Sequence, residues 1–178
     1  MRSTCTLIVA AAIGLGIPAA GEACTISAPV SPEQMVAAAD VIVRARAARY
    51  VTPPSNPKSW TNGTPDSRIL FDVLETIRGR LPGAVVVLPG YLSERDDFND
   101  HRAPYTFVRP GGRSGSCFAN TYRSGGEFLL MLKKASDGDY TVNWYALGPV
   151  NEQLRSADDP WLTWVRQHAA AGMDAFPL

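Results

Sequence analysis

The chain has 178 residues, 46% of them hydrophobic, and its 17 basic and 17 acidic side chains give a formal charge of zero. That balance excludes an electrostatically driven nucleic-acid binder, and the length suits one domain of ordinary size. No stretch beyond the first 23 residues approaches the roughly 20 apolar residues of a spanning helix, so no membrane span is expected either.

Met1-Arg2, the apolar run Leu7 to Ile17, and then Pro18 with small residues have the layout of a secretory signal peptide, read as residues 1–23. Cleavage after Ala23 makes Cys24 the new N-terminus, whereas cleavage after Gly21 leaves Glu22-Ala23 attached, and both sites stay open. Lipid anchoring at Cys24 is a further alternative, but Gly21-Glu22-Ala23 lacks the usual leucine and small-residue pair. Export, to the periplasm or out of the cell, removes Cys5 and leaves Cys24 and Cys117, while the loss of Arg2 and Glu22 keeps the charge at zero. In an oxidising compartment, with no CxxC and no histidine pair nearby, the two cysteines read as a disulfide and not as a metal site. Closing a loop of about 90 residues would stabilise the fold by about 4 to 5 kcal/mol in the chain-entropy treatment.

Ser31-Pro32-Glu33-Gln34 predicts a capped helix start, with the helix ending near Ala39. From Val41 to Arg49 the chain alternates, with Val41, Val43, Ala45 and Ala47 on one face and Arg44 and Arg46 on the other, which predicts a half-buried strand. Residues 52–66 are dense in Pro, Ser, Asn and Gly and read as a loop; Asn62-Gly63-Thr64 within it is read as a turn in preference to a glycosylation sequon. Arg68 to Ile77 is a second strand and Ala84 to Leu88 a third, apolar on both faces.

Residues 93–116 read as a long irregular stretch, charged at first and glycine-rich at its end, either functional or disordered, and within it residues 96–101 read as a solvated charged loop. Glu127 to Lys133 reads as a central strand, followed by a hairpin through Asp137-Gly138 into Tyr140 to Tyr145. Asp159-Pro160 opens a terminal helix carrying Trp161, Leu162, Trp164 and Val165 on its apolar face, with the two tryptophans expected to pack over an open barrel end. The last residues, 171–178, read as a flexible tail. Five short strands with peripheral helices predict a mainly β chain, a five-stranded OB-fold-like barrel spanning residues 24–170 with a short N-terminal and a C-terminal helix.

Little in this pattern carries chemistry. Asp96-Asp97-Phe98-Asn99-Asp100-His101 offers oxygen and imidazole donors, yet it has neither the glycine and glutamate of a calcium loop nor any standard zinc spacing. Gly112-Arg113-Ser114-Gly115-Ser116 misses the closing glycine of a nucleophile elbow, and His168 sits on the terminal helix in a surface role. No catalytic residue, metal site of its own or cofactor is therefore expected.

The order of features is more telling than any one motif. A cysteine at the processed N-terminus, a short helix, Ala39-Asp40-Val41-Ile42-Val43-Arg44-Ala45, a strand ending in Ile77-Arg78-Gly79, and a cysteine followed by Gly126-Glu127-Phe128-Leu129-Leu130 resemble the netrin-module superfamily. Within it the chain is similar to bacterial secreted proteins that look like tissue inhibitors of metalloproteinases, over roughly residues 24–150. The resemblance implies an OB-fold barrel. It also implies that the α-amine and carbonyl of Cys24 chelate the zinc of a target metalloprotease, that Thr25 enters the pocket beside the metal, and that Cys117 is the disulfide partner with Ser116 beside it on the contact ridge. Ile26 stands where the inhibitors have a second cysteine, and Phe118 where a glycine commonly follows the core cysteine. The expectation is an exported, non-catalytic binding module with a protein partner. The alternative is a metalloprotease inhibitor acting through Cys24, and a remote one is a hydrolase using the acidic loop around His101.

Overall fold

A computed structural model describes residues 30–55, 65–113 and 117–171. Residues 1–29, with the stretch read as a signal peptide, the Asn62-Gly63-Thr64 tripeptide and residues 172–178 lie outside the described residues.

Helix α1 (Pro32–Ala38) starts as its sequence dictates: Ser31 Oγ accepts the Gln34 N–H at 3.2 Å, and Gln34 Oε1 accepts the Ser31 N–H at 2.9 Å. Such a cap contributes about 1 kcal/mol. At its other end the Val36 carbonyl accepts the Ala39 N–H at 3.4 Å and Arg78 from the sheet at 2.8 Å.

Strand β1 (Val41–Thr52) is the centre of the sheet, paired with β2 (Arg68–Arg78) on one edge and with β6 (Glu127–Lys134) on the other. The alternation holds: Val41, Val43, Ala45 and Ala47 are buried, while Arg44 and Arg46 reach Glu127 on the opposite face at 2.7 and 3.1 Å. The strand continues to Thr52, past the predicted end, because Tyr50 and Thr52 still find partners at Ile69 and Arg68. Where β2 ends, Gly79 takes φ +77°, and a Cβ there would strike the Asp40 carbonyl that leads into β1.

Strand β3 (Val85–Pro89) is found where a third strand is expected and, although apolar on both faces, lies at the edge of the sheet. It pairs with β2 only, burying Val86 and Leu88 and leaving Val85 and Val87 48% and 37% exposed. Three short strands went unread: β4 (Tyr91–Ser93) and β5 (Thr121–Arg123), which pair in parallel, and β8 (Asn151–Leu154). Three or four residues are too few for periodicity to register. The hairpin is present, with Gly138 at φ +91°, but its second strand, β7, spans only Tyr140–Val142.

The order β3-β2-β1-β6 is completed by β7 and β8, which share the far edge of β6: Leu132 to Lys134 face β7, and Glu127 to Leu130 face β8. All pairs in this six-stranded sheet are antiparallel. The edges β3 and β7 approach one another, and the Tyr140 hydroxyl donates to the Arg80 carbonyl at 3.1 Å, but no ladder joins them. The sheet is curled and not closed.

Helix α2 (Pro160–Ala171) opens where Asp159 Oδ1 accepts the Trp161 N–H at 2.9 Å, and packs against α1 and β2. Trp161, Leu162, Val165 and Ala169 join the core, while Trp164 lies partly exposed between Trp161 and His168, stacked on both. Two helices beside an antiparallel sheet make the chain mainly β. Among the described residues no helix is long and apolar enough to cross a membrane.

Candidate functional site

The strand opposite β6 is broken at Met131. Its carbonyl accepts the Asn143 N–H and its own N–H goes to the Val150 carbonyl, so residues 143–150 leave the sheet between β7 and β8 and return. At the tip of this excursion Leu147 takes φ +58°, a conformation that costs a non-glycine residue of order 1 kcal/mol or more. Two hydrogen bonds hold it: the Leu147 N–H donates to the Cys117 carbonyl at 2.9 Å, and its carbonyl accepts the Val108 N–H at 2.8 Å. Cys117 itself sits at φ +61°. It is disulfide-bonded, and the other half of the bond lies outside the described residues. Phe118 and Trp144 meet edge to face beside it, with centroids 5.3 Å apart.

Of the residues singled out by sequence, Cys24, Thr25 and Ser116 lie outside the described residues, and Cys117 is the one described member of that set. The structure brings to Cys117 a segment that the sequence did not connect with it, the 143–150 excursion, which is bonded in turn to Val108.

The loop after β4 is interior in its second half. Residues 96–101 are exposed or half-buried apart from Asn99, whereas Tyr105, Val108 and Arg109 further along are buried. Arg109 is fully buried and its guanidinium is held all round: Nη1 on Asp97 at 2.5 Å and on the Thr121 carbonyl at 2.9 Å, Nη2 on the Ala119 carbonyl at 2.7 Å, and Nε on the Asn151 carbonyl at 3.2 Å. The plane also lies 5.5 Å from the ring centroids of Tyr122 and Phe128. One buried cation thereby ties the loop, β5 and β8 together, using the planar fork that makes arginine the residue for such sites.

β8 supplies the other half of this seam. Asn151, Glu152 and Gln153 are all buried. Glu152 Oε1 accepts the Arg109 backbone N–H at 3.1 Å and Oε2 accepts Asn99 Nδ2 at 2.9 Å, while Gln153 Oε1 accepts the Asp97 N–H at 2.7 Å. Burial pushes the Glu152 carboxyl up to about 7 against the pull of Arg109, and pushes the Tyr105 phenol up to about 12. Sequence reasoning missed both Arg109 and Glu152. The available signal was slight: Val150 to Leu154 contains neither glycine nor proline, as a strand would, but its polarity reads as loop.

The acidic residues of the loop do not converge. Asp97 is turned to Arg109 and the Gly111 N–H, and Asp100 to Arg113 at 2.5 Å, which holds the Asp100 carboxyl below its ordinary range. His101 is about half exposed, with Nε2 3.7 Å from Asp100 Oδ1. Among the described residues no group of three or more His, Cys, Asp or Glu side chains is placed to hold a metal ion. A polar cleft of about 400 Å³ lies between the loop, β6 and β8, and its three guanidiniums are engaged: Arg44 with Glu127, Arg123 near Asp96 at 3.8 Å, and Arg155 over the Phe98 ring at 4.5 Å. No protein-family model and no curated protein matches the chain.

Proposed function

We propose that the chain is an exported, non-catalytic binding module built on a netrin-like OB-fold, with its N-terminal segment tied to the sheet by a Cys24–Cys117 disulfide and offered to a protein partner. The observation that carries this reading is the setting of Cys117: disulfide-bonded, in a left-handed conformation, and clamped through Leu147 to Val108 of the loop after β4. Such a foot holds an attached segment rigidly, which lowers the ordering entropy lost on docking. The barrel reading draws support from β1 pairing with both β2 and β6 and from the approach of the edge strands β3 and β7, as in a partly open Greek-key barrel. Binding is favoured over catalysis because Asp97 and Asp100 are each fastened to an arginine, Arg109 and Arg113.

The disulfide at Cys117 also favours the second reading, inhibition of a zinc endopeptidase. With Cys24 as the first residue, its α-amine, with an ordinary pKa near 8, gives up a proton to the target's zinc and fills the open coordination position while Thr25 enters the adjacent pocket. A panel of zinc endopeptidases assayed with the mature protein separates the two readings. Under the inhibitory reading the protein inhibits at least one of them and a single alanine added before Cys24 abolishes the effect. Equal inhibition by the extended protein contradicts zinc chelation, and no inhibition with partner binding intact leaves the binding module alone.

A further inference from the structure

The polar cleft of about 400 Å³ between the loop after β4, the β5–β6 turn and the end of β8 falls within the size range of small-molecule sites. Three guanidiniums line it, Arg44 from β1, Arg123 from β5 and Arg155 just after β8, against two carboxylates, Asp96 and Glu127. Counting in Arg46, which also binds Glu127, and the exposed Glu94, 3.6 Å from Arg123, leaves the same excess of one positive charge. The carboxylates are committed elsewhere. Glu127 accepts Arg44 Nε on Oε2 at 2.8 Å and Arg46 Nη2 on Oε1 at 3.1 Å, so both of its oxygens are taken. Asp96 Oδ1 is drawn to Gln153 Nε2 at 2.6 Å, and that buried amide is fixed in turn by accepting the Asp97 N–H at 2.7 Å. Arg123 is therefore left 3.8 Å from Asp96 and 3.6 Å from Glu94, beyond hydrogen-bond distance of both. Among the described residues its hydrogen bond goes from Nη1 to the Ser124 carbonyl at 2.6 Å. Gly126 makes room for this side chain, since a Cβ there would lie 3.0 Å from the Arg123 Cβ. Arg155 lies over the Phe98 ring at 4.5 Å and donates Nη2 to the Asn99 carbonyl at 3.2 Å. Stacking uses the face of its plane and leaves the Nε and Nη1 edge unbonded among the described residues. Arg109, a structural guanidinium, shows the contrast: each of its nitrogens meets an acceptor within 3.2 Å.

We propose that this cleft is a binding site for a small oxyanion, the phosphate or carboxylate group of a ligand, held by the unbonded N–H edges of Arg123 and Arg155 with Arg44 adding its charge. The planar fork of a guanidinium offers paired N–H groups that match two oxygens of such a group. A bound oxyanion supplies the acceptors that Arg123 lacks and cancels the excess positive charge of the cleft. The site is separate from the Cys117 foot, for none of its lining residues bonds Cys117 or Leu147 through the backbone.

The test is a titration of the full exported chain, its disulfide intact, followed by NMR of the backbone amides and the arginine Nε–H groups. Sodium phosphate or sodium acetate replaces sodium chloride at constant ionic strength and neutral pH, so that screening stays the same throughout. The Arg123 and Arg155 Nε–H resonances are expected to shift to saturation with phosphate, with acetate or with both, and not with chloride. Saturation by phosphate alone assigns a phosphate ligand, by acetate alone a carboxylate ligand, and by both a site that reads charge and paired oxygens; each of these supports the site. Arg123→Gln is expected to weaken binding about tenfold, the loss of a hydrogen bond to a charged group. Arg155→Gln, at the exposed rim, does the same and keeps the test alive where Arg123→Gln does not fold. Arg49→Gln, exposed on β1 and outside the cleft, leaves binding unchanged. Shifts that rise without saturating, equal shifts in chloride, unchanged affinity in Arg123→Gln or in Arg155→Gln, or loss of binding in Arg49→Gln would each overturn the site.

Discussion

On one edge of β6 the chain buries Val41, Val43 and Ala45 of β1 against Leu132, Leu130 and Phe128, and on the other it buries Asn151, Glu152 and Gln153 of β8 under Arg109 and Asn99. The first contact is stabilised by removing apolar surface from water and tolerates approximate fits. The second is stabilised only if every donor and acceptor is matched, since an unpaired buried charge costs several kcal/mol. The sheet centre accordingly tells what makes the chain fold. The seam fixes where a loop of about twenty residues comes to rest beside Cys117.

Breaking each side should show the contrast. Phe128→Ala, which empties the site between Phe71 and Tyr122, is expected to cost about 3 to 5 kcal/mol in a denaturant titration. Arg109→Met is expected to cost as much, about 3 to 5 kcal/mol, although methionine is apolar and fills similar space, because Asp97 and three carbonyls lose their donor. A cost below 1 kcal/mol would mean that the seam is not held by its charge.

Changing pH should act on the seam near neutrality and on the sheet only in acid. The Glu152 carboxyl is raised in the folded chain, so its stabilising contribution is complete below the unfolded value near 4 and is lost as pH rises through about 7. Stability is expected to fall by on the order of 3 kcal/mol between pH 4.5 and 8, and to stay nearly level in Glu152→Gln. The carboxyls of Asp40, Glu75 and Glu127 are lowered by the cations or N–H groups they meet, so their contribution is present above the unfolded value and is lost as pH falls below about 4. Maximum stability is therefore expected on the acid side of neutrality, as read from thermal midpoints across pH. Ser31→Ala, by removing the α1 cap, should cost about 1 kcal/mol. Arg46→Ala, at a half-exposed pair on the sheet face, should cost about 0 to 1 kcal/mol, the smallest effect of the series.

The same contrast explains what could be read from sequence. The capping box at Ser31, the alternation of β1, the apolar β6 and the Asp137-Gly138 turn are local patterns, each decided by neighbours within a few residues, and each is found where expected. Arg109 and Glu152 lie 43 positions apart. Taken alone, each is a charged residue in a polar stretch, and only their meeting turns both into interior groups. The candidate site was legible in one respect, the special status of Cys117. Its support by Leu147 and Val108 depends on an excursion that begins and ends at Met131, and no periodicity in residues 143–150 announces it.

The central claim, an exported module whose N-terminal segment is pinned at Cys117, is tested most directly by mass analysis of the exported protein digested without reduction. The expected result is a mature chain starting at Cys24 and a cross-linked peptide pair joining Cys24 to Cys117. A free Cys24 thiol, or a Cys117 peptide joined to any other residue, would contradict it.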